Sequence, residues 1–370
     1  MTCRSRSCCL RHPRSTCELH SINSTSHRPS SSLSDILPTD VRDVRLLISA
    51  PVAAYVPVWY VREAVNNWLR FTLPSTHAVL HMDRARNASF SDDDFTAEWL
   101  WLRGGTLRER VLINPLRIFT RRRSGALLAS HVHNFLFAQR TVATSHVLFL
   151  AHNCFFIRAG IEAYVAARGA TAAMRACTER PIKLNRNYCT TQPWFAPLNS
   201  HKKTGARSTI EGQFFPVGFV NELWRQLATR NVHGQPIGGG SNRNDTLLNA
   251  LPRINCTAEE SLLPAVVLRA PRSLLNETEP TESVAWVPSS LTNGSIVGRA
   301  TIISLLSTNN TPSFPKASGC PQARAWGLQT KYLVKRVAMD EADASQVRRL
   351  IASLTGARSH VGIHSVSANP

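Results

Sequence analysis

The segment "SHVLFLAHNCFFIRAGIEAYV", residues 145–165, changes from a strand pattern to a helix pattern within a few residues. Its apolar run, Val147 to Leu150, is typical of a strand that is buried on both faces of a sheet. His152 and Asn153 follow this run directly, and a helix pattern then covers residues 158–168. A buried strand that ends in small polar side chains indicates a sheet whose strand ends face a polar site.

Strand and helix patterns alternate four times in the first half of the chain. Apolar runs predict strands at 44–49, 77–83, 110–114 and 145–151, and helical spacing covers 57–71, 91–102, 124–140 and 158–168. This alternation predicts an α/β fold in which a mainly parallel, twisted sheet carries helices on both faces. No G-x-G-x-x-G motif follows the first strand, so a dinucleotide-binding Rossmann site is not predicted.

The second half is less regular. Helices are predicted at 216–230, 257–268 and 343–354, a strand at 330–337, and a short strand at "VAWV", 284–287. Segments 232–246 and 270–325 are rich in Pro, Gly, Ser, Thr and Asn, which predicts long flexible loops. We therefore predict a disordered Ser- and Arg-rich tail at 1–40, one domain at 41–356, and a flexible tail at 357–370.

The charge of the chain favours an anionic partner. The formal net charge is +19, but the basic residues are mostly arginines spread along the whole chain. Only one dense basic run occurs, at residues 121–123, and no basic patch is interleaved with aromatic residues. A small anionic ligand is therefore favoured over nucleic acid, and no nucleic-acid partner is predicted.

Features of the sequence argue both against and for a location in the secretory pathway. No apolar run reaches the length of a membrane helix, and the N-terminus has no apolar signal-peptide region. N-x-S/T sequons nevertheless recur, as expected of a secreted or lumenal protein and also by chance in a chain rich in Ser, Thr and Asn. They start at Asn23, Asn87, Asn244, Asn255, Asn276, Asn293 and Asn309.

The nine cysteines leave several alternatives open. In the tail, Cys9, His12, Cys17 and His20 have the chemistry of zinc ligands, but the spacer between the two pairs is too short for a zinc finger. Disulfides can form among the later cysteines, and the sequence does not pair them. These are Cys154, Cys177, Cys189, Cys256 and Cys320.

Three predicted strands end in polar side chains. They end in His81 and Asp83, in His152 and Asn153, and in Lys335 and Arg336. In open α/β sheets, ligands bind beyond the carboxyl ends of the strands. One polar strand end means little because loops are hydrated, but three together predict a site at this edge.

Six segments, in the same order, resemble motifs of the core-2/I-branching β-1,6-N-acetylglucosaminyltransferases and the peptide O-xylosyltransferases. "AVLHMDRA" resembles the I-H-V-D-K motif, and "KYLVKRV" resembles the l-F-A-R-K-F strand. "HVLFLAHNCFFIRAGIEAYV" is similar to the strand and turn L-s-g-q-D-f-P-l-k. The other three segments are "SGALLASHVHNFLFA", "EGQFFPVGFVNEL" and "AEESLLPAVV", and the whole resemblance spans residues 44–354.

The resemblance implies a GT-A-like fold and an inverting transfer of a sugar from a UDP-sugar to a hydroxyl of a glycan or glycoprotein. N-acetylglucosamine is the first donor sugar to consider and xylose the second. The implied nucleotide-binding half is about 41–170, and the acceptor and catalytic half about 171–356. The implied location is the Golgi or the lumen of the secretory pathway, where relatives have an N-terminal anchor. Membrane association would then depend on a segment not visible in this chain.

The resemblance also implies roles for individual residues. Glu260 matches the catalytic glutamate, which as a general base takes the proton of the acceptor hydroxyl. At a helix start it could instead complete a capping box with Thr257. Arg336 and Lys335 match a basic pair that neutralises the leaving diphosphate, with Arg336 ranked first. No metal or other cofactor is therefore expected, and the acidic run at 92–94 is interpreted as a helix cap rather than a metal-binding D-x-D motif.

The remaining predicted site residues have structural alternatives. His81 and Asp83 match the start of the donor nucleotide pocket, although an aspartate after a strand also forms turns. Glu211 and Gly212 match the approach to the acceptor, although Glu211 could be a solvated loop charge.

The chain also departs from the family pattern at four positions, two of which are Leu263 and Pro264, in place of the bulky and variable positions after the glutamate. Cys154 replaces an aspartate and Phe156 replaces a proline. These departures keep open the alternative of a catalytically inactive relative that binds a nucleotide or a carbohydrate.

Overall fold

A computed structural model describes the part of the chain that contains the predicted sheet. The described residues all belong to the unit Thr39–Pro370. They are residues 44–87, 108–120, 124–170, 192, 210–237, 246–275, 284–286, 297–307, 311–312, 328–329, 332–335, 337, 339 and 342–356. The predicted tails and the predicted helix at 91–102 lie outside them.

The fold is α/β, and its centre is a five-stranded sheet in the order β3-β2-β1-β4-β6. The first four strands are parallel, and β6 runs antiparallel to β4 at one edge. The mainly parallel sheet predicted from the alternation is therefore confirmed. Its strands are β1 (Leu46–Val52), β2 (His77–Met82), β3 (Val111–Asn114), β4 (His146–Phe149) and β6 (Gln213–Pro216).

Side chains of the central strands alternate between two hydrophobic cores. Leu46, Ile48 and Ala50 belong to one core, and Leu47 belongs to the other. Successive side chains of a strand point to opposite faces, so each strand contributes to both cores. This arrangement explains the continuous apolar runs of the sequence and confirms that both faces of the sheet are covered.

Helices occur where the sequence predicts them in the described segments. The first, α1 (Val58–Phe71), presents Val61, Val65 and Trp68 to one core, and α2 (Ala126–Ala138) packs Leu128 and Val132 in the other. The remaining helices are α3 (Ile161–Arg168), α4 (Val217–Ala228), α5 (Leu247–Ala250), α6 (Ala258–Arg269), α7 (Arg272–Leu275), α8 (Arg299–Ser307) and α9 (Ala342–Gly356).

Two regions predicted as flexible loops contain regular structure. Helices α7 and α8 both lie within 270–325, and Ile302 and Leu305 of α8 are buried in a core. Residues 231–237 form a turn that is closed by a bridge between Arg230 and Pro236. The sequence did not predict these elements because the composition of both regions favours loops.

A second sheet lies beside the first one. It has the order β5-β10-β7, with β5 at Cys154–Phe156, β7 at Ala285–Trp286 and β10 at Leu333–Lys335. Side chains of helix α1 form hydrogen bonds with the edge of β5 that does not pair with β10. The Asn67 amide donates to the Phe156 carbonyl at 3.0 Å and accepts from its N–H at 2.6 Å, and the Trp68 indole N–H donates to the Cys154 carbonyl. Two further short strands, β8 (Thr311–Pro312) and β9 (Leu328–Gln329), pair with each other in a separate sheet.

No helix within the described segments has the length and apolar character needed to span a lipid bilayer.

Candidate functional site

The parallel strands bring the predicted polar strand ends to one edge of the central sheet. β1, β2 and β4 lie side by side and run in the same direction, so their carboxyl ends share that edge. His81 and Asp83 lie at the end of β2, and His152 follows β4. This edge is where an open α/β sheet binds a ligand.

His81 and Asp83 hold the loop that follows β3. The His81 ring accepts a hydrogen bond at Nε2 from the Ile118 N–H at 2.9 Å. The Asp83 carboxylate accepts from the Ala85 N–H at 2.7 Å, from the Thr120 N–H at 2.9 Å and from the Thr120 hydroxyl. Both side chains are buried. The contacts of Asp83 are therefore those of the turn-forming alternative, and its role in donor binding stays a prediction.

The His81 ring is uncharged at neutral pH. Burial lowers its pKa to about 4. Its Nδ1 is buried and has no hydrogen-bond partner among the described residues. A neutral ring with one nitrogen engaged by the backbone fits a role in shaping the loop at 115–120.

Glu211 and Lys335 form an ion pair at this edge, although 124 positions separate them in the sequence. Glu211 precedes β6, and Lys335 lies in β10 opposite Cys154. Their side chains are 13% and 18% exposed, respectively. The structure thus brings together one residue predicted for the acceptor and one predicted for the donor.

Gly212 fixes the backbone next to this ion pair. Its N–H donates to the Phe149 carbonyl at 2.8 Å, and its carbonyl accepts from the Val284 N–H at 2.9 Å. Its φ is 76°, in the left-handed region that favours glycine. Gly212 therefore ties the end of β4 to the start of β7 and sets the direction in which Glu211 leaves the sheet.

His152 and Tyr55 lie beside the ion pair. Their rings meet edge to face, with centroids 6.0 Å apart, and the Tyr55 side chain is 72% exposed. The pKa of His152 is lowered to about 4, mainly by burial, and the nearby Lys335 lowers it further. His152 is thus a neutral ring at neutral pH, and Tyr55 offers an exposed aromatic face at the strand ends. The sequence did not single out Tyr55, although a tyrosine in the turn after the first strand is a visible signal.

Cys154 is a buried free thiol. Its pKa is raised to about 12, mainly by burial and then by the Glu211 carboxylate, so the thiol stays protonated. At the position where the resembled family has an aspartate, this chain therefore has an uncharged group. Cys256, by contrast, is disulfide-bonded.

The predicted catalytic pair is only partly described. Glu260 is the third residue of α6, and the described structure does not include its side chain. The Thr257 side chain makes no capping hydrogen bond to this helix, so the Thr257 half of the predicted capping box is not formed. Arg336 lies outside the described residues. The convergence of Glu260 and Arg336 on one cavity stays a prediction.

A buried polar network connects α2 to the sheet below this edge. His131 Nδ1 lies 2.9 Å from the Ser49 hydroxyl, and the Asn134 amide donates to both Ser49 Oγ and the Val79 carbonyl at 3.2 Å. The Asn114 amide donates to Asn134 Oδ1 at 3.1 Å. Burial lowers the pKa of His131 to about 3. Because these groups are sealed from solvent and bonded to one another, the network positions α2 and does no chemistry.

A small open pocket of 150 Å³ lies between α1 and α9, and none of the strand-end residues lines it. Its rim contains Glu63 and Arg348, which form an ion pair at 3.3 Å. The Arg348 guanidinium also lies 5.3 Å from the centre of the Trp59 ring. These contacts hold α9 on α1, so the pocket is a gap in a helix–helix interface. Within the described segments, no group of three or more His, Cys, Asp or Glu side chains is arranged to hold a metal ion.

The known proteins that are similar to this chain share little of its sequence. No protein-family model matches the chain, and no curated protein matches it. Two solved structures with weak similarity are both of LgtC: an active-site mutant, and the galactosyltransferase in complex with donor and acceptor sugar analogues. Their sequence identities are 9% and 10% and their TM-scores 0.36 and 0.35, and each match covers 84% of this chain and 95% of the other. Scores this low support no argument about fold or function, which depend here on the sheet and on the strand-end residues.

Proposed function

We propose that this protein is an inverting, metal-independent glycosyltransferase with a GT-A-like fold. It transfers a sugar from a UDP-sugar to a hydroxyl of a glycan or glycoprotein. N-acetylglucosamine is the first donor sugar to test and xylose the second. The observation that carries the proposal is the ion pair between Glu211 and Lys335 at the carboxyl ends of the strands. The resemblance to the family implies an acceptor role for the first residue and a donor role for the second.

The chemistry of the strand-end edge supports this proposal. Lys335 supplies a fixed cation, which can stabilise the charge that develops on a leaving diphosphate. Tyr55 supplies an exposed ring at the same edge, and an aromatic face of this kind packs well against a sugar or a base. In the proposed reaction, Glu260 takes the proton of the acceptor hydroxyl, and one member of the basic pair faces the diphosphate, with Arg336 ranked before Lys335 because neighbouring strand residues point to opposite faces.

A transfer assay with radiolabelled donor tests the proposal directly. We expect transfer from UDP-N-acetylglucosamine or UDP-xylose to continue in EDTA. Activity that disappears with the chelator and returns with manganese would show that basic side chains alone do not support the reaction.

The assignment of Glu260 has its own test. Glu260→Gln removes the base but keeps the shape of the side chain, so turnover should be abolished while UDP binding is unchanged. Glu222→Gln, which changes a half-buried glutamate of α4 that pairs with Arg225, is the matched control. Turnover by the Glu260→Gln variant at the rate of this control would remove Glu260 as the base.

Cys154 favours a second candidate function, that of a non-catalytic relative that binds a nucleotide or carbohydrate. Its protonated thiol is uncharged and buried, so it cannot perform any role that requires the carboxylate of the family aspartate. UDP binding without transfer or hydrolysis on a broad panel of acceptors would favour this candidate over the enzyme.

The proposed location is the lumen of the secretory pathway. The disulfide at Cys256 supports an oxidising compartment, because disulfides form and persist there and are rare in the cytosol. Glycosidase treatment of the protein from secretory cells should increase its electrophoretic mobility if the N-x-S/T sequons are used. Unchanged mobility would argue against this location.

A further inference from the structure

Exposed apolar side chains collect at the carboxyl edge of the central sheet. Within the described residues, seven large apolar side chains are exposed, and four of them lie in the segment after β1 or in the loop after β3. These four residues, called the edge patch below, are Tyr55, Trp59, Leu116 and Phe119, with exposed fractions of 72%, 45%, 46% and 42%. Single exposed apolar residues are common on protein surfaces, whereas a group of them at one place marks an interaction surface.

Backbone hydrogen bonds hold the two segments of the edge patch on one surface. The Asp83 N–H donates to the Val52 carbonyl at 3.1 Å, which ties the end of β2 to the end of β1. The Arg84 N–H donates to the Ile118 carbonyl at 3.2 Å, so the loop after β3 lies against the end of β2. The edge patch is therefore carried by the linked ends of three neighbouring strands.

The charges beside the edge patch are positive. In the described segments 53–57, 83–87 and 115–120, the one acidic residue is Asp83, and its side chain is buried and hydrogen-bonded. Arg84 is exposed. In the sequence, the basic run at 121–123 follows Thr120 directly and lies outside the described residues. Apolar side chains next to exposed cations are complementary to an anionic lipid bilayer.

We infer that the edge patch docks the carboxyl edge of the sheet on the surface of an anionic membrane. Tyr55 and Trp59 suit the boundary between acyl chains and headgroups, because each ring is largely apolar and carries one polar group. Leu116 and Phe119 enter the bilayer beside them, and Arg84 stays at the level of the lipid phosphates. This contact is peripheral, unlike the N-terminal anchor that the resemblance implies, and it places the candidate site against the membrane.

A second copy of the chain is the other occupant that an apolar patch could have. The formal net charge of +19 opposes the association of two copies, because like charges repel. The same charge attracts the chain to an anionic surface. Electrostatics therefore favours the membrane over self-association.

Flotation with large unilamellar vesicles tests the docking on the full chain. We expect binding to phosphatidylcholine vesicles that contain about 30% phosphatidylserine, and binding at least about tenfold weaker to pure phosphatidylcholine. Leu116→Ser removes an apolar side chain from the edge patch and should lower the partition coefficient about tenfold. Leu73→Ser is the matched control, because Leu73 is 39% exposed and precedes β2, at the opposite edge of the sheet. It should stay within about twofold of the wild-type protein.

The contribution of charge is tested with Arg84→Gln. We expect this variant to bind the anionic vesicles about fivefold more weakly, since a cation close to an anionic surface strengthens binding by about this factor. Arg70→Gln is the matched control, because Arg70 is an exposed arginine in the last turn of α1, away from the edge patch. Equal losses for the two variants would show that only the net charge matters and would overturn the role of Arg84.

A second readout identifies the side chain that meets the bilayer. Brominated phosphatidylcholine quenches tryptophans that contact the acyl chains, so vesicles that contain it should lower the fluorescence of the wild-type protein. Trp59→Phe keeps the edge patch apolar, so this variant should bind the vesicles like the wild-type protein but lose most of the quenching. Equal quenching in the two proteins would place another tryptophan in the bilayer and overturn the assignment of the edge patch.

The vesicle experiments and the transfer assay give independent answers, because binding to vesicles does not require the proposed reaction. Failure of the wild-type protein to float with anionic vesicles would overturn the docking, as would equal binding to pure phosphatidylcholine. Equal partition coefficients for Leu116→Ser and Leu73→Ser would overturn it as well. Self-association in sedimentation velocity that Leu116→Ser abolishes, without any binding to vesicles, would assign the edge patch to a second copy of the chain instead.

Discussion

Asn67 attaches strand β5 of the second sheet to helix α1. Its side chain is buried at 7% exposure and makes two hydrogen bonds to the backbone of Phe156, at 2.6 and 3.0 Å. Strand β5 pairs with β10 along one edge, so Asn67 completes the hydrogen bonds of the other edge. Without this amide, the N–H and the carbonyl of Phe156 have no partner from α1.

The expected effect of Asn67→Ala follows from these two contacts. A buried backbone group that is left unsatisfied costs about 1–3 kcal/mol, so two of them should lower the free energy of unfolding by about 2–6 kcal/mol. With an m-value of about 3 kcal/mol/M, the urea midpoint should fall by about 1 M. The indole N–H of Trp68 donates to the Cys154 carbonyl in the same strand, so tryptophan fluorescence reports this transition directly.

Asn66→Ala is the matched control, because Asn66 is the neighbouring asparagine on α1 and lines the same small pocket, whereas the two hydrogen bonds to Phe156 come from Asn67. We expect this variant to remain within about 0.5 kcal/mol of the wild-type protein. Because β5 pairs with the strand that carries Lys335, Asn67→Ala should also weaken UDP binding relative to the control. Equal urea midpoints for the two variants would refute the argument that Asn67 fastens β5.

Three further predictions concern the packing and the loops. Arg110 donates to the carbonyls of Leu69 and Thr76, at 2.9 and 2.8 Å, and so joins the end of α1 to the start of β2. Arg110→Lys should lower the free energy of unfolding by about 1–3 kcal/mol in urea titrations. Substitution of the exposed Arg70 by lysine should leave this free energy unchanged. Burial lowers the pKa of the His131 and His81 rings to about 3 and about 4, so the unfolded chain binds more protons than the folded protein below about pH 6.5. The free energy of unfolding should therefore fall steadily as the pH decreases from 6.5 to 4. A flat profile of urea midpoints across this range would contradict the argument. Thr120→Val removes the hydroxyl that donates to Asp83, so hydrogen exchange in the loop at 115–120 should accelerate while exchange in β1 is unchanged. Equal exchange rates of this loop in the variant and the wild-type protein would show that the Thr120 hydroxyl does not hold the loop.

The central sheet could be predicted because its sequence pattern is local. Strands β1, β2 and β4 are buried on both faces, so they appear as short continuous apolar runs separated by helical spacing. The polar strand ends followed from the same pattern, because residues just past a buried strand reach the carboxyl edge of the sheet. The fold class therefore required only short stretches of sequence.

Strand β5 and the pairing of the second sheet could not be predicted in the same way, although the sequence predicts strands at the positions of β7 and β10. Strand β5 has three residues, and its partners are β10 and the Asn67 side chain, which lies 89 positions earlier than Phe156. A strand this short has no periodicity of its own, and its existence depends on distant contacts. The ion pair between Glu211 and Lys335 is similar, since 124 positions separate the two residues. Their types suggested roles in binding, but only the fold shows that they contact each other.

Helix α8 was missed for a different reason. Its sequence contains Thr301, Ile302 and Ile303 in succession, and β-branched residues favour strands over helices. The surrounding segment is rich in Ser, Thr and Asn, which favoured a loop. Burial of Ile302 and Leu305 in a core stabilises the helix despite these local preferences. Tertiary packing therefore overrides propensity in this segment.

The central claim is that the carboxyl edge of the sheet holds the diphosphate of a nucleotide sugar. A crystal structure of the protein grown with UDP tests it most directly. We predict that the diphosphate lies within hydrogen-bond distance of Lys335 Nζ or of the Arg336 guanidinium. A structure with UDP bound elsewhere, for example in the pocket between α1 and α9, would contradict the account.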